Sequence, residues 1–530
     1  MEKTGFLEKY AKLLFFAAVL LTEIYLQVGA YCYVMPAFDR ALGLVKRFAV
    51  ILGAAAGVYV LILFFRFPEK RSEWKQRLQK ALSYEQAYLV FVFFWYFVSV
   101  AHRQCLVGGT HFADNKLWMF ETGIAAFLLF PLAQYAGTRN AKKTMEFLLK
   151  TVVIPLSIFL GWQTWHYFHM NYVMFPSGQQ MLMTPPMILC YSYINHNALA
   201  RLAMTAVSCS LYLVITQKPP EKVLYAICFA VSLVYLILTN SRTSWYVTAA
   251  MLVSAAFFFC WNRMDGRKQL IRAGAGILLA AAIGLGCHLL RGEVFILLDR
   301  SVTSIREAKA AAEAEAVEEA MHAGYGLRTM EARIPEEAKR PGPASEAAAL
   351  AFFDEDSAAA NARRYDDNLS TVGNRLPLYQ ASIKLMFSDP HCFFFGVTPT
   401  DAIEELRAYD GVSPTFDYVT VHNFFLQMGV SYGVPTMIAT MVFACSLLIR
   451  SIRILFINRK KAFPGAWMIC LTVLFFLAND TLEAALNISH VLFCSVFYLL
   501  GGWLVTVDRA ASQTEKQTVP SMQQTAPTER

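Results

Sequence analysis

This chain is short of charge. Asp, Glu, Lys and Arg make up 16% of its 530 residues against 56% hydrophobic, and the mean hydropathy is +0.40, which excludes a soluble globular or disordered chain of this length. It also lacks a Walker A loop, a His-Glu-x-x-His helix and a Cys-x-x-Cys pair, so nothing points to an energy-coupling or redox site. Of its 11 cysteines, only Cys392 lies in the long polar stretch, which argues against a disulfide framework there. No internal repeat of the transporter kind is visible. His166 and His169 have metal-sharing spacing, but no carboxylate or cysteine set stands nearby, and no metal site or other cofactor is expected.

What the chain has instead is apolar sequence in span-length runs. Runs of roughly 18 to 22 residues, enough to cross about 30 Å of hydrocarbon, fall at 13–35, 47–66, 86–105, 117–137, 147–168, 198–216, 222–239, 243–261, 272–291, 422–449, 464–481 and 485–507. The expected fold is all-α: a polytopic integral membrane protein of about twelve transmembrane helices. Alternate short loops carry most of the cations, among them Lys70/Arg71, Lys142/Lys143, Lys218/Lys222, Arg267/Lys268 and Lys460/Lys461. Such loops resist translocation, so both termini are expected in the cytoplasm. The net charge of +8 reflects this bias and attraction to anionic headgroups, not nucleic-acid binding. Lys3, Lys9 and Lys12 precede the first run as in a secretory signal, but its core is over-long and no small-residue cleavage pattern follows, so it reads as an anchor.

Four segments are expected. Residues 1–291 hold nine membrane helices, 292–420 form a large outer loop between about the ninth and tenth helices, and 421–510 hold the last three. Residues 511–530, rich in Gln, Thr, Ser and Pro, read as a disordered cytoplasmic tail. Within the loop, Ser301 to Met321 is an Ala/Glu run of high helix propensity.

Several polar residues stand at the expected outer ends of these spans. Arg242, in Asn240-Ser241-Arg242-Thr243, sits where two spans meet almost without a loop, as an interfacial snorkeller or a functional cation. Arg375 opens an amphipathic run, Leu376 to Ile383, that reads as able to lie on the membrane, and its planar fork suits diphosphate oxygens. His422 stands where the loop re-enters the membrane, with Asn423 beside it; an imidazole can accept a hydroxyl proton near neutral pH. Asn195 and Asn197 precede a span as helix caps or as amides lining a polar path. Asp480 and Glu483 read as helix-end or pairing residues.

Together these elements resemble the O-antigen ligase/polymerase family of bacterial membrane glycosyltransferases. The matches are Asn195-His196-Asn197-Ala198-Leu199-Ala200, Asn240-Ser241-Arg242-Thr243, Gly373-Asn374-Arg375 through Gly396-Val397, and Val421-His422-Asn423 through Gly433-Val434-Pro435, in the family's order and with its large outer loop. Two departures are His196 in place of the usual proline and a long insertion over Ser301 to Ser370. The resemblance implies a GT-C-like membrane fold in the cytoplasmic (inner) membrane and an undecaprenyl-diphosphate-linked glycan as donor. The acceptor it implies is a glycan, a lipid or a wall polymer. Carried to matching positions, it makes His422 the base that activates the acceptor and Arg242 and Arg375 the diphosphate ligands, with Asn423, Tyr379, Asn195 and Asn197 in secondary roles. An alternative of a different class is a polysaccharide flippase or exporter without covalent chemistry, although it would want its charged groups near the midplane.

Overall fold

The computed structural model describes residues 83–108, 129–168, 196–239, 241–262, 271, 273–289, 375–408, 421–457, 465–483 and 491–518, with isolated positions at Ser304, Ala308, Ala311 and Glu315. Among the described residues there is no β-strand. The long helices are α1 (Tyr84–Val107), α2 (Phe130–Phe168), α3 (His196–Thr216), α4 (Pro219–Leu238), α5 (Arg242–Asn262) and α6 (Ala273–Leu289). Further along the chain come α7 (Leu376–Met386), α8 (Pro390–Phe395), α9 (Ala402–Arg407), α10 (Phe424–Tyr432), α11 (Val434–Ile452), α12 (Ala466–Glu483) and α13 (Val491–Thr518).

Among the described residues, six stretches are long and apolar enough to cross a membrane: Tyr84–Leu106, Met145–Trp165, Leu199–Thr216, Pro219–Leu238, Arg242–Asn262 and Val434–Ile457. The described residues are helical throughout apart from short turns, and the chain is a polytopic membrane protein. Several hydroxyls inside the spans bond their own helices, as Thr205 to the Arg201 carbonyl at 2.8 Å and Thr440 to that of Thr436 at 2.7 Å. The expected spans at 13–35 and 47–66 lie outside the described residues, as do most of 117–137 and of the Ala/Glu run.

The helices pack through a shared aromatic core that includes Tyr96, Phe130, Tyr212, Tyr235, Phe476 and Trp503, all essentially inaccessible. Since lipid tails are as apolar as these side chains, close packing and polar contacts hold the bundle. At the end where α1 begins, Arg450 of α11 reaches Glu85 of α1 at 2.6 Å and Asp508 of α13 at 2.8 Å, both carboxylates being buried. This cluster ties three helices at the end opposite the site described below.

Three features differ from the reading of the sequence. The run 422–449 is two helices, broken at Gly433 with φ +90°. Residues 511–518 continue α13 instead of starting the tail, and 519–530 lie outside the described residues. Lastly, one apolar face of α7 packs on protein, where Leu378, Ala381, Leu385 and Met386 join Val397, Ala402 and Leu406 over Val421, Val430 and Val434, while Leu376 and Ile383 stay exposed. The segment 375–408 is thereby seated on the broken helix.

Two sets of hydrogen bonds fix that seating. Val397 and Thr398 donate their backbone N–H to the carbonyls of Val430 and Ser431 at 2.9 and 3.1 Å, meeting acceptors that the end of α10 leaves open. From the other side α1 grips the segment: Trp95 Nε1 donates to the carbonyls of Tyr432 at 3.0 Å and Phe394 at 3.3 Å, Ser99 Oγ to that of Phe395, and Arg103 pairs with Asp401 at 3.1 Å and with Glu405.

Within the segment Asp389 caps α8, accepting from the N–H of His391 at 2.6 Å and of Cys392 at 2.9 Å. The Cys392 N–H, with that of His391, holds the Asp389 carboxyl below its usual range. The stabilisation is full above the ordinary carboxylate value of about 3.9 and is lost as pH falls through the lowered one. Asp389→Ala is therefore expected to cost about 1 kcal/mol at neutral pH, a difference that shrinks in acid. Thermal unfolding of both proteins at neutral pH and near pH 3 checks it.

Candidate functional site

The motifs around Arg375 and Asn423 meet at the last turn of α12. Like any helix end, this turn leaves backbone carbonyls without intrahelical donors. The Thr481 carbonyl accepts from Asn423 Nδ2 at 2.9 Å, and the Leu482 carbonyl accepts from Arg375 Nη1. A guanidinium is the appropriate charge at the negative end of a helix. One turn earlier, Asn479 Oδ1 accepts from Ser244 Oγ of α5 at 3.2 Å.

Arg242 begins α5 and is half-buried. The turn before it is fixed by Ser241, whose hydroxyl donates to Asn197 Oδ1 of α3 at 2.7 Å. Asn197 thus lies within the first turn of α3 and reaches across to a neighbouring helix instead of capping its own. Asn195 lies outside the described residues.

His422 has a left-handed backbone, φ +55°, a conformation uncommon outside glycine, asparagine and aspartate. Four contacts hold it there. Tyr379 Oη donates to the His422 carbonyl at 3.0 Å, and Gln427 Oε1 accepts from the Val421 N–H at 2.8 Å. Asn423 Oδ1 caps α10 through the Leu426 N–H at 3.0 Å, while its amide nitrogen makes the Thr481 contact. The half-buried imidazole is therefore carried by a turn that its neighbours hold through hydrogen bonds.

Arg375, Tyr379, His422 and Asn423 are thus linked into one group, and Arg242 and Asn197 join it through α5 and its contact with α12. The His166 side chain and all of His169 lie outside the described residues; among those described, no three metal-ligating side chains gather.

The structure adds residues that the sequence pattern passes over. Asn479, and beside it Asp480, read as a helix-end or pairing residue, are fully buried, and Arg201 is buried in the middle of an apolar run. Residues Gly429 to Gly433 also spell Gly-x-Ser-x-Gly, the spacing of a hydrolase nucleophile turn. Ser431, however, lies within a helix, is wholly buried and accepts a hydrogen bond from Gln427 Nε2 at 2.9 Å, so it is no nucleophile.

Residues 227–441 match the O-antigen ligase family. The matched region runs from within α4 into α11 and includes Arg242, Arg375, Tyr379, His422 and Asn423. A search of curated proteins finds no match. The O-antigen ligase match supports a membrane enzyme of ligase or polymerase type, acting on a lipid-linked glycan and an acceptor.

Proposed function

We propose that this protein is a glycosyltransferase of the O-antigen ligase/polymerase type, transferring glycan from an undecaprenyl-diphosphate-linked donor on the outer face of the cytoplasmic membrane. The observation that supports it most is the assembly of Arg375, His422 and Asn423 on one helix end, with Arg242 at the head of the helix packed beside it.

In this reading the acceptor hydroxyl oxygen bonds to the anomeric carbon of the donor sugar as the bond from that carbon to the diphosphate oxygen breaks. His422 takes the hydroxyl proton, and the lipid diphosphate leaves with the electron pair. Arg242 and Arg375 stabilise the charge that grows on it, as fixed donors do in a low-dielectric site. With the base and the leaving group on opposite faces of the carbon, the transfer inverts configuration. Two guanidinium groups supply the positive charge, so EDTA is expected to leave the rate unchanged.

Arg242→Lys and Arg375→Lys are each expected to reduce kcat/KM for the donor by about tenfold or more, because an ammonium cannot reproduce the bidentate fork. Steady-state kinetics with a varied donor checks this; full activity in both variants would remove the arginines from the diphosphate. The transfer itself is tested with purified protein, a synthetic undecaprenyl-diphosphate oligosaccharide and EDTA, with and without candidate acceptors. A size ladder from the donor alone indicates polymerisation, and one transferred band that requires an acceptor indicates ligation. No product with any acceptor would count against transfer.

A further inference from the structure

Among the described residues only two other than glycine have a left-handed backbone, Thr398 at φ +70° and His422 at φ +55°. A β-branched residue in that region is an outlier, and such strain persists only where the surroundings over-determine it. Thr398 belongs to the segment 375–408 and is wholly buried. Its N–H donates to the Ser431 carbonyl of α10 at 3.1 Å, and its own carbonyl accepts from the N–H of Ala402, at the head of α9, at 3.1 Å. The two strained turns come from different parts of the chain, yet both are bonded to α10.

Two side chains of α10 join them. Gln427 and Ser431 lie one turn apart on one face of the helix, and they are 2% and 0% exposed. A backbone N–H can only donate, so the Val421 N–H, at 2.8 Å, fixes Gln427 Oε1 as its acceptor. Gln427 Nε2 is then left to donate to Ser431 Oγ at 2.9 Å. Ser431 thus holds Gln427 with its hydroxyl and Thr398 with its carbonyl. A pair of apolar side chains would fill this space without the cost of burying an amide and a hydroxyl, so packing alone does not account for them. The serine that cannot be a nucleophile has a place in this chain of bonds.

We infer that Gln427 and Ser431 are positioning residues that couple the His422 turn to the seating of the segment 375–408 on α10. The segment then grips that turn from two sides. Tyr379 bonds the His422 carbonyl directly, and Thr398 acts on the Val421 N–H through Ser431 and Gln427. The consequence for catalysis rests on the transfer reading above; the coupling itself does not.

The test uses the full chain in lipid nanodiscs and reads amide hydrogen exchange at Val421 and Thr398, with amides of α3 as the internal reference. Gln427→Met removes the amide at similar volume, and Ser431→Ala removes one hydroxyl. Gln427→Met is expected to speed exchange at Val421 about fivefold, the effect of one lost hydrogen bond. Coupling is reciprocal, so two less direct effects are also expected. Ser431→Ala should speed exchange at Val421, which it does not touch, and Gln427→Met should speed exchange at Thr398. The double variant should be no faster at Val421 than Gln427→Met alone, as for residues that act as a unit. Parental exchange at Val421 in Ser431→Ala, or at Thr398 in Gln427→Met, would overturn the inference, as would equal acceleration in α3. Turnover per donor-binding site is expected to fall about tenfold to 100-fold in Gln427→Met, the loss that a small misplacement produces, with KM for the donor within about twofold. Parental turnover would overturn the positioning role. If the parent itself transfers no glycan, the transfer reading fails and exchange alone decides the coupling. If Gln427→Met fails to fold, Ser431→Ala decides it by the same exchange at Val421.

Discussion

His422→Ala is expected to slow glycan transfer by about 10²- to 10⁴-fold, the range that a positioned general base contributes. The hydrogen bonds that Tyr379, Asn423 and Gln427 make to the surrounding turn stay available when the imidazole is removed. Alanine at φ +55° adds a backbone cost of about 1 kcal/mol. His422→Asn, a residue that accepts this conformation readily, separates that cost from the chemistry. Both variants should lose product while retaining expression and donor binding, and the lipid-linked donor should accumulate on the outer leaflet. Accumulation on the inner leaflet would instead favour the flippase alternative. Transfer at the parental rate in both would exclude His422 as the base.

Gly433→Ala is expected to destabilise the protein by on the order of 4 kcal/mol, through left-handed strain and overpacking together. A Cβ at Gly433, φ +90°, would stand 2.2 Å from the Phe394 carbonyl oxygen and 2.7 Å from that of Phe393. These are main-chain atoms that cannot swing aside. Gly396, φ +69°, faces the same contact from the other side, where a Cβ would meet the backbone of Ser431 and Tyr432 at 2.5 Å. Relief requires separating α8 from the break between α10 and α11, and Trp95 then loses both carbonyl acceptors. A lower unfolding temperature and a shift in tryptophan emission are the expected signatures; a variant with the parental melting temperature would mean that the two segments are not in contact.

Much of the bundle is legible in the chain because span ends are marked by residues with few other uses. Pro219 opens α4 and Ser83 caps α1 by accepting from the Gln86 N–H, and the helices at 84–107, 196–216, 219–238 and 242–262 fall within a few residues of their apolar runs. The break at Gly433 is harder to read, since an apolar run gives the same hydropathy whether it is one helix or two. Only Gly433-Val434-Pro435 hints at it. Amphipathicity shows that α7 has an apolar face but not what covers it. Arg201 disappears into the average of its run, and Asn479 and Asp480 stand where any helix could end. The order of the motifs can be read along the chain; their meeting on α12 is a tertiary fact, carried by contacts between residues as far apart as Arg375 and Leu482.

The grip of α1 on the outer segment has an evolutionary corollary. The hydrogen bonds of Trp95 and Ser99 close on main-chain carbonyls, those of Phe394, Phe395, Ser431 and Tyr432, while the Trp95 ring also stacks on that of Phe395 at 5.7 Å. Every amino acid offers the same carbonyl. Receiving side chains that α1 does not touch, unlike Phe395, Tyr432, Asp401 and Glu405, can therefore drift while the hydrogen bonds of the clamp go on recognising a backbone that mutation does not change.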